Sequence, residues 1–414
     1  ALPEPWSDDA RDLLVRLLAA GPGLLPVWET LDETGALGLL LPEWERVRLL
    51  PHASVVHRFT VDRHLVETCI EASRLIRRVP RPDLLVVAAL VHDIGKGGRQ
   101  EHSVAGSPIA AGIAARLGFE AVDVEVVADL VRWHLLLSEV ATTRDLEDPA
   151  TVQHVLDRVG DPRTLDLLAV LTEADARATS PKAWTTWRAS LVRDLVARAR
   201  AAAAADGPEQ LPVWEPVEVP AAVRGDMQAI DVRVETGVHG SEVTVVACDR
   251  VGLLAAVAGM FGVQRISIRS ARAWTQDEYA FSHWHVDDTH LEAAGLRPRL
   301  EAILDGRVDV GERLRRTAGR NLDPSVAVRP EASRHATVLE VRVDDRPGVV
   351  HLVCQALADI DVAVRSAHVT TFGPQAVDVF YVQEEGAGAL ADDRAAEAAH
   401  AVRRVLTDTV TLDA

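Results

Sequence analysis

The pattern of apolar and polar positions divides the chain into a helical part and a β-rich part. From about residue 55 to residue 205, apolar residues recur three and four positions apart, as in Leu65, Cys69 and Ala72. This spacing places the apolar side chains on one face of an α-helix. After residue 225 the pattern changes to short β-type runs such as "SEVTVVAC" and "ISIRSARAW". We therefore expect a multidomain chain, with an all-α helix bundle followed by α+β units.

The β-rich part contains an internal repeat. "DRVGLLAAVAGMFGVQRISIRSARAWT" from Asp249 aligns without gaps on "DRPGVVHLVCQALADIDVAVRSAHVTT" from Asp345, 96 residues later. Each copy reads strand–helix–strand–strand–helix–strand, which is the ferredoxin-like (βαββαβ) layout. Because the edges of such sheets are usually paired, we expect the two copies to pair side by side, and a homo-oligomer could form in the same way.

In each copy an Asp-Arg-x-Gly turn separates the first strand from the first helix. Glycine allows a tight turn, and the free N–H groups of the next helix can bind a carboxylate. This layout resembles the ACT domain, a regulatory module that usually binds amino acids; a structural pair without ligand is the alternative. The candidate effector-binding residues are Asp249, Arg250, Gly252 and Leu253 in the first copy and Asp345, Arg346, Gly348 and Val349 in the second.

Proline and glycine set the expected domain limits. Short helices broken by "GPG" at 21–23 precede the bundle, and "DGPEQLPVWEPVEVP" follows it. Such stretches interrupt regular structure. The expected domains are a helical connector at 1–54, the helical domain at 55–205, a linker at 206–238, and the two repeat domains at 239–318 and 334–414.

Polar residues interrupt the apolar helical runs at a few positions: His64, His92, Asp93, His134 and Asp175. One such residue alone would most often be a hydrogen-bonded core residue, but a set that includes an adjacent His-Asp pair favours a metal site. Imidazole and carboxylate together suit a divalent metal such as Mn²⁺, Mg²⁺ or iron. Ligands from several helices of a bundle leave open coordination positions, which permits metal-assisted hydrolysis.

The order of these residues on a helical background resembles the HD-domain metal-dependent phosphohydrolases. The metal ligands that this resemblance implies are His64, His92, Asp93 and Asp175.

Three further residues are candidate catalytic residues. Lys96 could neutralise a phosphate oxygen. His102 and His134 could bind a second metal or the phosphate, or protonate the leaving oxygen. For His102 the alternative is an exposed loop position, and for His134 a core position. Asp62 could orient His64 or cap its helix.

Charge and composition exclude some classes of partner and indicate the location of the protein. The chain has 414 residues and a formal net charge of −18. This charge argues against nucleic-acid or anionic-membrane partners, because phosphate groups would be repelled. No apolar stretch approaches the ~18 residues of a membrane span, and from the first residues we expect no secretory signal. Three widely separated cysteines are typical of free thiols in a reducing compartment. We expect a cytoplasmic protein; the missing initiator Met suggests a fragment or a processed form.

The combination of domains is more specific than either domain. An HD domain with the strings "ALVHDIGKG" and "EHSVAGSPIA", followed by two ACT modules, resembles the bifunctional uridylyltransferase/uridylyl-removing enzymes of the PII nitrogen-signalling protein. This resemblance covers essentially the whole chain, but the Gly-Ser and Asp-x-Asp motifs of the family's nucleotidyltransferase domain are absent. It implies that the chain removes UMP, or in some lineages AMP, from a tyrosine of PII, that the ACT pair senses glutamine, and that nucleotide attachment needs a domain absent here.

Two other functions stay open. A guanosine-tetraphosphate hydrolase also joins HD and ACT modules, although that family places further domains between them and carries one ACT module. A non-enzymatic glutamine sensor with a degenerate HD domain would bind PII without hydrolysis. Metal content and a nucleotide-release assay discriminate among the three.

Overall fold

A computed structural model of the chain describes most of its residues, namely 3–51, 59–146, 148–180, 183–184, 186–205, 217–237, 240–314, 323–329, 332–333, 335–344, 346–372, 375–384 and 388–411. The chain forms two compact units, Ala1–Ala141 with Val152–Leu211 and Thr142–Thr151 with Pro212–Ala414. Within the described ranges, no helix is long and apolar enough to cross a membrane. The three cysteines are free thiols, and Cys248 is only partly buried.

The first unit is a helix bundle, as predicted. The helices along this part of the chain are α1 (Asp8–Leu18), α2 (Leu24–Glu33), α3 (Ala36–Leu40), α4 (Val61–Ser73), α5 (Pro82–Val91), α6 (His102–Arg116), α7 (Ala121–Trp133), α8 (Leu136–Thr143), α9 (Pro149–Val159), α10 (Pro162–Thr179) and α11 (Thr186–Ala204). Every residue of α5 from Leu84 to Val91 is buried. Helix α5 contacts α4, α7 and α10. A helix that is apolar on all sides belongs in the centre of a bundle, and this is where α5 lies.

The N-terminal helices pack on the same bundle. Both terminal nitrogens of Arg116 on α6 donate to the carboxylate of Glu43, at 2.6 and 2.7 Å. The backbone N–H of Trp6 donates to the carbonyl oxygen of Arg116 at 2.9 Å. The described part of 1–54, expected to be a separate connector, thus lies in the same unit as the helical domain. The expected limit at residue 54 lies outside the described residues.

The second unit is built on one antiparallel sheet. Its described strands are β1 (Ile230–Gly237), β2 (Gly240–Cys248), β3 (Ile268–Gln276), β4 (Tyr279–Val286), β5 (Ser325–Val328), β6 (Thr337–Asp344), β7 (Val362–Phe372) and β8 (Gln375–Glu384). They run in the order β1-β2-β4-β3-β7-β8-β6-β5. Two four-stranded halves, one for each repeat, are joined where β3 pairs with β7. The predicted side-by-side pairing thus occurs within one chain; a homo-oligomer remains a prediction.

The helices of the second unit share one core with the sheet. They are α12 (Ala221–Arg224), α13 (Leu253–Val263), α14 (Ala293–Leu304), α15 (Val310–Leu314), α16 (Val349–Ala358) and α17 (Asp392–Thr411). Phe261 of α13, Trp284 of β4, Val353 of α16 and Phe380 of β8 are all fully buried in this core. Helices α13 and α16 also contact each other. The α+β class predicted for both repeats is confirmed.

One strand of each half comes from a different place in the chain than the βαββαβ layout predicts. The expected fourth strand follows the second helix of a repeat. In the structure the edge strand precedes the repeat: β1 forms a hairpin with β2, and β5 pairs with β6. Strand β1 lies inside the expected linker 206–238, where buried Ile230 and Val232 alternate with more exposed residues. A short hairpin supplies an antiparallel edge strand without a long crossover.

Helices α13 and α16 approach each other closely at Gly259. A Cβ atom there would lie 2.8 Å from Nδ1 of His351 and 2.9 Å from Cγ1 of Val310. Nδ1 of His351 donates to the carbonyl oxygen of Ala255 at 2.8 Å, so the ring cannot easily move. Gly259→Ala should lower the free energy of unfolding by about 1–3 kcal/mol, because overpacking outweighs the ~1 kcal/mol gained in helix propensity.

The matched control is Gly112→Ala in α6, where a Cβ atom would meet nothing within 4 Å. This substitution should raise the free energy of unfolding by about 0.5–1 kcal/mol. Denaturant unfolding measures both variants. A Gly259→Ala protein as stable as the wild type would contradict the close helix contact.

Candidate metal centre

The polar residues singled out in the helical part lie at the ends of helices or on one helix face. His64 is on α4, and His92 and Asp93 follow the last residue of α5. His134 follows the last residue of α7, and Asp175 is on α10. Because α5 packs against α4, α7 and α10, these side chains come together at one end of the bundle.

A glycine brings His102 to the same place. Gly95 lies two residues after Asp93, and a Cβ atom on it would lie 2.5 Å from the backbone nitrogen of Gly106 and closer still to the carbonyl oxygen of His102. Only glycine permits the turn after Asp93 to touch the backbone of α6 in this way. The start of α6, which carries His102, therefore lies against the His-Asp pair.

The first group of possible ligands consists of His64, His92 and Asp175. Nε2 of His64 lies 2.9 Å from Oδ1 of Asp175 and 3.3 Å from Nε2 of His92. Nε2 of His92 lies 3.7 Å from the same carboxylate oxygen. These three atoms all lie within 4.8 Å of one another, so a single metal ion could contact all of them.

The second group consists of Asp93, His102 and His134. Nε2 of His102 and Nε2 of His134 are 3.3 Å apart. They lie 3.4 Å and 3.6 Å from Oδ1 of Asp93. This set also meets the distance expected of a metal site. The structure thus brings His102 and His134, whose roles the sequence left open, to a possible second metal position.

Asp93 links the two groups. Its Oδ1 faces the second group, whereas its Oδ2 lies 3.6 Å from Nε2 of His92 and 2.5 Å from Nζ of Lys96. Only 2% of Asp93 is exposed. Burial alone would raise the pKa of Asp93, but His92 and Lys96 outweigh it and the pKa lies well below its usual range. Burial would also raise the pKa of Asp175, but His92 and His64 outweigh burial, so this pKa is lowered as well. Both carboxylates are therefore ionised.

Backbone carbonyl groups fix the histidine tautomers. Nδ1 of His92 lies 3.0 Å from the carbonyl oxygen of Ala89, and Nδ1 of His134 lies 2.8 Å from that of Val131. A carbonyl oxygen only accepts, so each Nδ1 carries a proton, which leaves Nε2 as the ring atom that could bind a metal. Burial lowers the pKa of His92 to about 4, which keeps the ring neutral. Neutral imidazoles and ionised carboxylates are the donors that a divalent cation requires, so these residues fit a metal.

Residues outside the predicted metal site hold the start of α6. The Glu101 carboxylate accepts from the backbone N–H groups of Ser103 and Val104, both at 3.0 Å. Arg132 donates to the Ser103 hydroxyl at 3.0 Å. This cap fixes the position of His102. An acidic residue before a helix is a recognisable cap signal, whereas Arg132 could be found only from the packing of α6 on α7.

The Asp62 carboxylate accepts hydrogen bonds from two backbone N–H groups. Its two oxygens accept from the backbone N–H groups of Leu49 and Arg63, at 2.7 and 2.8 Å. Asp62 and Arg63 both lie in the first turn of α4, whose N-cap residue is Thr60, and an acidic residue there stabilises the start of the helix.

The predicted effector residues lie at the starts of α13 and α16. Gly252 and Gly348 have positive φ angles of 82° and 91°, which glycine adopts readily. Helix α13 begins at Leu253 and α16 at Val349, as the turns predicted. Asp249 accepts a hydrogen bond from the Thr275 hydroxyl at 2.8 Å. Arg250 and Arg346 lie between the strand and the glycine of each turn, and Asp345 lies outside the described residues. Ligand binding by these turns remains a prediction.

The two groups of possible ligands lead to different predictions for how much metal each variant binds. Asp93→Asn should weaken Mn²⁺ binding at both positions by about 100-fold or more, since even indirect partners of a ligand contribute 10–100-fold. His102→Gln should remove only the second position and leave a stoichiometry of one. Asp129→Asn on the exposed side of α7 is the control. Equilibrium dialysis with elemental analysis measures the stoichiometry; full Mn²⁺ content in Asp93→Asn would contradict the shared site.

Comparison with known proteins agrees with this geometry. Residues 61–179 match the HD domain family. The bifunctional uridylyltransferase/uridylyl-removing enzyme of Streptomyces coelicolor is 40% identical over 98% of this chain and 55% of its own length. Those of Mycobacterium tuberculosis H37Rv and Gluconobacter oxydans are 37% and 34% identical, over 92% and 90% of this chain and 50% and 48% of their own lengths. The chain spans about half the length of these relatives. It therefore contains an HD domain and is homologous, over nearly its whole length, to about half of a bifunctional uridylyltransferase/uridylyl-removing enzyme.

Proposed function

We propose that the chain is a glutamine-regulated, metal-dependent phosphodiesterase that removes UMP or AMP from a tyrosine of the PII signalling protein in the cytoplasm. The observation that carries this proposal is the presence, inside an HD domain, of two adjacent His/Asp groups, one that contains Asp93 and one that lies beside it. The names of the similar proteins favour UMP. A longer parent protein would attach the nucleotide through another domain.

The metal would be Mn²⁺ or Mg²⁺, with iron possible, and His64, His92, Asp93 and Asp175 would hold it. A bound divalent cation supplies an activated water and withdraws charge from the phosphate. The chain contributes the orientation of the ligands. The carbonyl oxygen of Ala89 fixes the ring of His92, and burial of the ligands excludes bulk water, which strengthens electrostatic interactions at the site.

Lys96 and His102 are the most exposed members of the site, with side-chain exposures of 21% and 26%, followed by Asp175 at 18%. Substrate would therefore approach from their side. Lys96 would keep Asp93 ionised and attract the phosphate. Burial lowers the pKa of His102, so at neutral pH it acts as a ligand or hydrogen-bond acceptor more readily than as a proton donor. A tyrosyl oxygen, with a pKa of about 10, leaves with little assistance from an acid.

Glutamine would act at the Gly252 turn of the first repeat. A Cβ atom on Gly252 would meet nothing within 4 Å, so space is open beside this turn. A Cβ atom on Gly348 would lie 2.5 and 2.9 Å from the two methyl groups of Leu314, which therefore fills the equivalent space in the second repeat. An α-carboxylate could reach the N–H groups of α13 in the first case only.

Nucleotide release from modified PII tests the proposed activity. The wild-type chain with Mn²⁺ should release UMP or AMP, identified by mass, and should not hydrolyse guanosine tetraphosphate. Chelation should abolish release, and Mn²⁺ should restore it. Asp93→Asn should slow release by about 100-fold or more, with Asp129→Asn as the control.

Two results would contradict the proposal. Release that persists in both Asp93→Asn and the chelated wild type would place the reaction elsewhere. A metal-loaded wild type that binds PII and releases no nucleotide would favour the non-enzymatic sensor.

A pair of glycine variants tests the effector site. Gly252→Ala should weaken glutamine binding by about tenfold or more, because the methyl group enters the open space and the left-handed backbone disfavours alanine. Gly348→Ala carries the same backbone cost and requires the Leu314 methyl groups to shift, but it should leave glutamine affinity near the wild-type value. Isothermal titration calorimetry measures both. Loss of affinity in Gly348→Ala alone would assign the effector to the second repeat instead.

A further inference from the structure

A short segment from the middle of the helical sequence is packed in the second unit. The chain leaves the first unit after Ala141 and returns to it at Val152. The described residues between them, which we call the anchor segment (142–146 and 148–151), join the unit that contains the two repeats. Asp145 and Asp148 are 5% and 2% exposed. Buried carboxylates require partners, and the second repeat supplies them.

Asp145 is bound by strand β7. The hydroxyl of Ser366 donates to its Oδ2 at 3.5 Å, and Nε of Arg365 lies 3.6 Å from the same oxygen. Ser366 lies directly opposite Tyr381 on β8, so the two side chains project from one face of the sheet. The neighbouring Ala367 belongs to the core beneath the helices. The anchor segment therefore lies on the outer face of the second repeat, opposite the helices.

Asp148 holds the first residues of α9, which belong to the second unit, against the same repeat. One carboxylate oxygen accepts from the backbone N–H of Ala150 at 2.8 Å, in the first turn of α9. The other accepts from the Ser333 hydroxyl. The Ser333 oxygen in turn accepts from the backbone N–H groups of His335 and Ala336, both at 3.1 Å. The residue that caps α9 is thus fixed to the chain just before β6.

The two repeats differ at the residues that hold the anchor segment. Arg269 in β3 and Arg365 in β7 are equivalent, and each is the extra residue of a β-bulge, a feature that redirects a side chain. Arg269 forms an ion pair with Asp287 of its own repeat. The position equivalent to Asp287 is Gln383, which carries no charge. Arg365 instead faces Asp145, so the second repeat is adapted to hold this segment.

We propose that the outer face of the second repeat is a docking surface for the anchor segment, and that docking controls the metal centre through α8. Helix α8 begins two residues after His134 and ends inside the anchor segment. Docking at Asp145 therefore fixes the end of the helix whose start adjoins a metal-site histidine. The two states are the docked and released segment, and any ligand that favours one state changes the other site reciprocally. The regulatory part rests on the proposed function; the docking does not.

Hydrogen exchange of the full chain tests the docking. In Arg365→Gln, the amides of 142–151 should exchange about tenfold faster than in the wild type, because the segment opens more often. Arg269→Gln removes the equivalent arginine from the first repeat and should leave this segment unchanged. Asp145→Asn provides an independent variant from the other side of the pair and should also speed exchange. Equal protection of the segment in all four proteins overturns the docking.

Two measurements test the coupling between the anchor segment and the metal centre, and the first needs no substrate. Mn²⁺ should slow exchange of the anchor segment in the wild type and less so in Arg365→Gln, whereas an equal effect in both overturns the coupling. In nucleotide release from modified PII, the rate ratio with and without glutamine should fall to about one in Arg365→Gln and stay at the wild-type value in Arg269→Gln. If Arg365→Gln keeps the wild-type ratio of release rates with and without glutamine, the coupling is overturned. Failure of the proposed function can be told apart from failure of this proposal. If the wild type releases no nucleotide, the two hydrogen-exchange experiments still test the docking and its coupling to the metal centre.

Discussion

The negative charge of Asp93 is held in a place almost closed to water, and the arrangement of the helical unit depends on how that charge is compensated. An ionised carboxylate in such a position is costly unless several partners surround it. Here Oδ1 faces His102 and His134, and Oδ2 faces Lys96 and His92. Asp93 thus lies between the two groups of possible ligands and is itself a member of the second.

The fold supplies those partners through helix ends. Helix α5 has no polar side and is fixed in the centre of the bundle, so the residues that follow it cannot move independently of the core. Gly95 then allows the backbone of α6 to approach, and the Glu101 cap fixes where α6 starts. Carbonyl groups of the preceding helical turns orient His92 and His134. The site is therefore preorganised by backbone contacts that cost little conformational freedom.

The helical bundle, the candidate ligands and the two repeats could be predicted from the sequence. The candidate ligands lie within or at the ends of apolar runs, and the two repeats align without gaps at a spacing of 96 residues. The position of Asp93 between the two groups could not be predicted, since it depends on distances between residues of five helices. The sequence predicts a linker where strand β1 lies, because the alternation of buried and exposed residues there is short and follows a proline-rich stretch. The contact between Asp145 and Ser366 could not be predicted from the sequence either, because the two residues are 221 positions apart in the chain. Local patterns report local structure, and such long-range pairs are decided by tertiary packing.

The central claim is that one buried carboxylate organises two metal positions. Anomalous diffraction at the manganese edge, from crystals of the full chain equilibrated with Mn²⁺, tests it most directly. We predict two peaks, one among His64, His92 and Asp175 and one between His102 and His134, each in direct contact with one oxygen of Asp93. Peaks that do not contact Asp93, or their persistence in crystals of Asp93→Asn, would contradict the account.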